Sequence, residues 1–247
     1  MQSGVRTFGI KSIICMKNRI TFYLWKKINS IYYSGDKVLC LNCTWNGNEF
    51  LNGRCPKCNS LPRTRFFAFC IKSYYENYSS ILHISPNQSE FNFIKNQLNI
   101  GKYDRLDKRK ISHINLVMDL VENLGITNSY QFIIIWHVLE HIEEDITALR
   151  NLFSALKPGG KLIASVPIFP AGNPFTFEDK NINKEEYKTI HGYPGHVRSC
   201  GYDYKLRFEK VGFSNIETVK VANLPKDQIN HNGLSIGHIA WVCEKPK

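Results

Sequence analysis

Two stretches of this chain gather side chains that hold metals or move protons. Cys40-Leu41-Asn42-Cys43 and Cys55-Pro56-Lys57-Cys58 place four thiols in two C-x-x-C turns eleven residues apart. Each such turn points two sulfurs at one centre, and four thiolates suit the tetrahedral preference of Zn²⁺. A closed four-sulfur site leaves no open coordination position, so the spacing predicts a structural zinc rather than a catalytic one. The remaining cysteines, Cys15, Cys70, Cys200 and Cys243, are scattered. This usage reads as a metal site in a reducing, cytoplasmic setting rather than as a disulfide framework.

The second stretch is His137-Val138-Leu139-Glu140-His141. His-x-x-Glu-His on a helix can gather two imidazoles and a carboxylate around a protease zinc. That requires His137 and His141 to share a helical face. The residues just before, Phe132-Ile133-Ile134-Ile135-Trp136, instead read as a buried parallel strand. His137 then falls at the strand's carboxyl end, with the helix starting after it, and the protease geometry is lost. Ligands of open α/β sheets bind outside such strand ends, so His137 is read as a rim residue of a binding crevice.

The elements that must position these groups alternate. From residue 66 onward, helix-like and strand-like segments succeed one another: a helix in RFFAFCIKSYYENY, a strand in SSILHISP, a helix in SEFNFIKNQLNI, then strands in KYDRLD, INLVMDL and YQFIIIWHV. Ile142, Ile146, Leu149, Leu152 and Phe153 follow helical spacing, and KPGG stops that helix before the strand KLIASVPI. Alternation of this kind predicts a mostly parallel sheet with helices on both faces. A long Gly-, Pro- and His-rich insertion follows Pro167. YDYKLRFEKVGF reads as a helix stopped by Gly212, and SNIETVKVAN and HIAWVCEK read as late, antiparallel strands. Three segments result: a basic amphipathic lead over residues 1–34, the four-cysteine knuckle over 35–65, and an α/β domain over 66–247.

Charge is unevenly spread along the 247 residues. Residues 1–73 hold 12 Lys/Arg against Asp36 and Glu49, whereas the rest hold 20 Lys/Arg against 19 acids. A basic module on a near-neutral domain suits an anionic partner, such as nucleic acid, an anionic membrane surface or a phosphorylated substrate; a merely solvated face is the competing reading. The lead segment MKNRITFYLWKKINSIYY can lie on a membrane surface or pack its aromatic face on the protein. No apolar run approaches the ~20 residues that a spanning helix needs, and no cleavage site follows a continuous apolar core, which excludes a secretory signal.

FIIIWHVLEHIEED, LFSALKPGGKLIASVP and the loop that follows resemble class I S-adenosylmethionine-dependent methyltransferases over roughly residues 80–245. The chain is most similar to a bacterial subgroup with an N-terminal four-cysteine knuckle and an Arg-x-Arg, here Arg63-Thr64-Arg65. The subgroup also carries counterparts of Leu82-His83-Ile84-Ser85-Pro86-Asn87, of Thr176, Glu178 and Asp179, of His196-Val197-Arg198, and of Gly201, Asp203-Tyr204 and Gly212-Phe213. The resemblance implies a Rossmann-like seven-stranded sheet with a small zinc-knuckle module. It implies S-adenosylmethionine gripped at its ribose by Asp107, or failing that Asp104. Asp119 beside Leu120 would meet the adenine, Ser85 and Pro86 the methionine part, and Trp136 and His137 the sulfonium side. Most of the superfamily has a Gly-x-Gly after the first strand, where this chain has Ser85-Pro86-Asn87. It also has Gly195 where the subgroup has an acid, and Cys200 where it has an aromatic.

Methyl transfer from a sulfonium is an in-line displacement in which the protein mainly holds the acceptor in place, with a base where the acceptor is protonated. His196, His141 and His191 are candidate bases, and Arg198 a candidate clamp for an acidic acceptor. The reading this supports is a methyltransferase acting on a small-molecule or glycan acceptor, an anionic one included. Two alternatives stay open: an RNA methyltransferase that grips RNA through the basic module, and a methyltransferase-like binding protein without turnover.

Overall fold

Strand parity organises the molecule. The computed structural model describes residues 23–247, so most of the expected lead segment lies outside the described residues. Seven strands form one sheet: β3 (Ser80–Ile84), β4 (Lys102–Asp107), β5 (Leu116–Val117), β6 (Tyr130–Trp136), β7 (Leu156–Ser165), β8 (Ser214–Lys220) and β9 (Ile239–Glu244). Their order is β5-β4-β3-β6-β7-β9-β8. Neighbours from β5 to β7 pair in parallel, and β9 runs antiparallel to both β7 and β8. The mostly parallel α/β sheet and its antiparallel end agree with the sequence reading. INLVMDL contributes only the short β5.

Along β6, Phe132, Ile134 and Trp136 enter one core and Ile133 and Ile135 the other, because successive strand side chains point to opposite faces. Helices α1 (Pro62–Tyr74) and α2 (Gln88–Gln97) cover the first face, and α3 (Asp145–Ala155) and α5 (Lys205–Val211) the second. Between α3 and α5 in the chain lies the one-turn α4 (Tyr187–His191). Local signals set the ends. Pro62 sits at the first position of α1, where its missing N–H costs nothing. Asn87 and Glu90 form a reciprocal capping box at α2. Gly212 takes φ 109° at the end of α5, a conformation that only glycine adopts without strain.

The knuckle is built on the hairpin β1 (Ser34–Cys40) and β2 (Trp45–Gly47). Arg65 fastens it to the sheet. This arginine is 1% exposed. Its guanidinium donates to the carbonyls of Ser60 (2.7 Å) and Gly53 (3.0 Å) in the knuckle, and to Asn232 (3.0 Å) and Gly233 (2.6 Å) beyond α6 (Lys226–His231). It also lies 3.8 Å from the centre of the Phe50 ring, a cation–π contact. Gly233 has no room for a side chain, since a Cβ there would meet Phe50 and Arg65 itself. Residues 23–32 are helical, and Tyr23, Leu24, Ile28, Ile31 and Tyr32 are exposed rather than packed on the protein. Among the described residues no helix is long and apolar enough to cross a membrane.

Lysine cannot reproduce the planar fork of Arg65. Arg65→Lys is expected to lower stability by about 3 kcal/mol or more, the scale of losing charge-assisted buried hydrogen bonds. Urea unfolding of the two proteins measures it.

Candidate functional site

The sheet order changes direction between β3 and β6, where the chain, having run outward through β4 and β5, returns to the other side of β3. Such a switch point opens a crevice at the strands' carboxyl ends. A cavity of about 650 Å³ lies there. Ser85 follows β3, Asp107 ends β4, Asp119 and Leu120 follow β5, and His137 follows β6; all five line the cavity, together with His141 and the 142–144 turn. Side chains far apart in sequence meet because every one of them sits at the same end of a parallel strand.

Two rim residues take left-handed backbone conformations, Ser85 at φ 45° and His137 at φ 54°. Non-glycine residues there carry a small strain that concentrates at functional sites. Ser85 thus makes the turn at the end of β3 without the glycine that the sequence lacks. Asp107 is 3% exposed. Burial alone would raise its carboxyl, but the Arg109 side chain and backbone N–H, with Ser85, hold it below the usual range. Arg109 N–H donates to Asp107 Oδ1 at 2.7 Å, and Nη2 reaches Oδ2 at 3.3 Å. An ionised carboxylate has acceptor capacity beyond these bonds. Asp104, by contrast, is tied to Tyr130 and Asn115 at 2.7 Å each and does not line the cavity.

Three sequence expectations are corrected. Trp136 does not flank the crevice: its even position on β6 turns it to the other face, against Phe66 and Phe67. Pro86 is buried beside the rim and its carbonyl accepts from His113 at 2.7 Å. Arg198 is no clamp for an acceptor. It is 2% exposed, and its nitrogens donate to the carbonyls of Leu139 (2.7 Å), Ile142 (2.6 Å) and Glu143 (2.9 Å) and to Glu178 (2.7 Å). It also lies 3.4 Å from Asp145. Glu178, Asp145 and Arg207 complete this ionic cluster.

Arg198 thereby holds the turn that carries Glu140 and His141, and the backbone N–H of Val197 donates to the Glu140 carbonyl at 2.9 Å. Glu140 is 1% exposed. Its Oε1 lies 3.5 Å from His137 Nδ1, 3.9 Å from His141 Nε2 and 4.0 Å from His196 Nε2. Its Oε2 is buried with no hydrogen-bond partner. Burial pushes His196 below the usual imidazole range, against the opposing pull of Glu140. His191 is fully buried, with Nδ1 2.9 Å from Ser199 Oγ, and does not line the cavity, which places it out of reach of an acceptor there. Sequence reasoning noticed Glu140 only as part of the protease pattern. Its place between two histidines was the available signal, but nothing in the sequence showed that His196 would join them.

In the knuckle, the Sγ atoms of Cys40 and Cys58, and of Cys43 and Cys55, are each 3.7 Å apart, and all four sulfurs lie within 4.8 Å of one another. Four sulfurs at about 2.3 Å from a tetrahedral zinc stand roughly 3.8 Å apart, so the residues fit that ion.

A crevice at the switch point of a mostly parallel seven-stranded sheet places the protein among the α/β proteins of Rossmann-like fold. A family model described as a methyltransferase domain (Methyltransf_23) matches residues 71–218, and the chain belongs to that family. No curated protein matches its sequence. The fold is similar to that of a SAM-dependent methyltransferase from Archaeoglobus fulgidus, at 14% identity and TM-score 0.51, covering 74% of this chain and 94% of that one. It is also similar to the 4+2 cyclase SpnF, at 11% identity and TM-score 0.51, covering 74% and 80%. A third similar structure is the Haemonchus contortus phosphoethanolamine N-methyltransferase 2 in complex with S-adenosyl-L-methionine, at 14% identity and TM-score 0.50, covering 73% and 52%.

Arg198→Lys should loosen the turn under the site while leaving the sheet intact. The expected result is faster amide hydrogen exchange at residues 139–143, with β6 and β7 unchanged, read by mass spectrometry.

Proposed function

We propose that the protein is an S-adenosylmethionine-dependent methyltransferase acting on a small-molecule or glycan-type acceptor. The observation that carries this reading is the meeting of Asp107, Asp119 and His137 on one cavity across the switch point. In this reading Asp107 accepts from the ribose hydroxyls, and Asp119, beside Leu120, accepts from the adenine amino group. Ser85 and His137 border the methionine and sulfonium end. The cofactor carries no phosphate, so no phosphate-cradling loop is needed, and the left-handed Ser85 supplies the turn. When bound, the cofactor supplies an electrophilic methyl group. The chain's own residues orient the acceptor for in-line attack on that methyl group.

The four-cysteine cluster serves as a structural zinc site. Chelation that strips the ion is expected to lower the thermal midpoint of the whole chain, because Arg65 couples the knuckle to the sheet; differential scanning calorimetry with and without chelator checks this.

Calorimetric titration with S-adenosylhomocysteine tests the function. The wild type should bind, and Asp107→Ala should weaken binding roughly 10- to 100-fold, the scale of a lost charge-assisted hydrogen bond. No heat with the wild type at millimolar cofactor product would sink the reading in favour of a fold without turnover.

A further inference from the structure

The histidines around Glu140 have a geometry that the cofactor reading leaves unused. His141 Nδ1 lies 2.7 Å from the Gly195 carbonyl, and His196 Nδ1 lies 3.1 Å from the His191 carbonyl. A carbonyl oxygen only accepts, so each Nδ1 carries the hydrogen. In its neutral form each ring then has its lone pair on Nε2, which stands 3.9 and 4.0 Å from Glu140 Oε1. These separations exceed hydrogen-bond range. Lone pairs facing a carboxylate oxygen repel one another, and the arrangement is satisfied by a cation between them.

We propose that Glu140, His141 and His196 form a binding site for a divalent transition-metal ion on the wall of the cofactor crevice. The ligand atoms all lie within 4.8 Å of one another. Metal–ligand bonds of about 2.0–2.2 Å place tetrahedral ligands roughly 3.4 Å apart, so shifts of about half an ångström bring the Glu140 contacts into range. Imidazole donating its other N–H to a backbone carbonyl is the usual support of a metal ligand, since it fixes tautomer and ring orientation. Here both histidines have it. Glu140 is 1% exposed and its Oε2 has no hydrogen-bond partner, a buried acceptor that is costly to leave unmet and that a bound cation satisfies. Two imidazoles and one carboxylate suit zinc, cobalt, iron or manganese better than calcium or magnesium. The arrangement is not the helical protease pattern: Leu139–His141 form a single 3-10 turn, and His196 comes from the loop after α4.

Three protein ligands leave positions open, as in catalytic sites. His141 also lines the crevice, so an open position can face a bound acceptor. This part of the inference rests on the methyl-transfer reading and deepens it: the acceptor is a hydroxyl. A hydroxyl oxygen held by the ion becomes more acidic and loses its proton to solvent. Its lone pair forms the bond to the methyl carbon as the carbon–sulfur bond breaks, and the sulfonium leaves as a neutral thioether.

The test uses the untagged full chain with its knuckle loaded with zinc. Equilibrium dialysis against Co²⁺, followed by metal analysis, should find one cobalt per chain beyond that zinc. Its visible spectrum should lack the intense sulfur-to-cobalt band of a thiolate site. His141→Asn and Glu140→Gln should each weaken cobalt binding by about tenfold or more. His141, with 40% of its side chain exposed, is the variant expected to keep the fold if Glu140→Gln does not, as unfolding curves will show. Wild type that takes up no cobalt beyond the knuckle, or His141→Asn that binds it undiminished, overturns the site. S-adenosylhomocysteine titrations on the same samples separate the two readings. Cobalt uptake without cofactor binding leaves the metal site standing and removes its methyl-transfer role. Cofactor binding without cobalt uptake removes the metal site alone.

Discussion

A single buried guanidinium governs the geometry of the candidate site. Arg198 comes from the insertion after β7, yet it hydrogen-bonds the carbonyls of Leu139, Ile142 and Glu143, which lie between β6 and α3. The Leu139 carbonyl also accepts from the Ile142 N–H within its 3-10 turn; Arg198 adds a charged donor to it and serves the two carbonyls that follow, because buried carbonyls without a partner are costly. The charge itself is neutralised by Glu178 and Asp145. One residue therefore fixes three things together: the path of the chain leaving the crevice, the direction of Glu140 and His141, and the approach of the loop that brings His196. Arginine suits this task because its planar fork serves several acceptors in fixed directions.

What could be read in advance follows from this. The rim residues were legible because strand ends are legible: FIIIWH marks the end of a buried strand, and the switch-point rule turns a strand end into a binding position. Asp107 and Asp119 came from family resemblance on the same footing. The resemblance puts Trp136 at the crevice, but parity along β6, counted from Ile133 and Ile135, places it with Phe132 and Ile134 on the other face. Arg198 departs from expectation for a different reason. An arginine in a Gly- and Pro-rich loop looks solvent-facing, and only tertiary contacts 55 to 59 positions away reveal that it is buried. Local pattern carries strand and helix identity, while the loop that closes the site is placed by long-range polar contacts that leave no periodic trace.

Family membership and fold similarity narrow the chemistry without naming the acceptor. Structures similar to this one include methyltransferases and a cyclase, and one fold hosts several chemistries through the groups grafted on its rim. The distinguishing features of this chain lie there: a serine in a left-handed turn where a glycine would be unstrained, and a buried glutamate ringed by three imidazoles.

The Arg65 clamp has a temporal side. Two of its acceptors, Asn232 and Gly233, lie 167 and 168 positions further along the chain. Translation proceeds from the amino end, so the knuckle is made well before half of its fastening. Until Asn232 and Gly233 leave the ribosome, the guanidinium has only its acceptors in the knuckle, Ser60 and Gly53. Contacts of such long separation are slow to form, which makes seating of the knuckle late relative to its own synthesis.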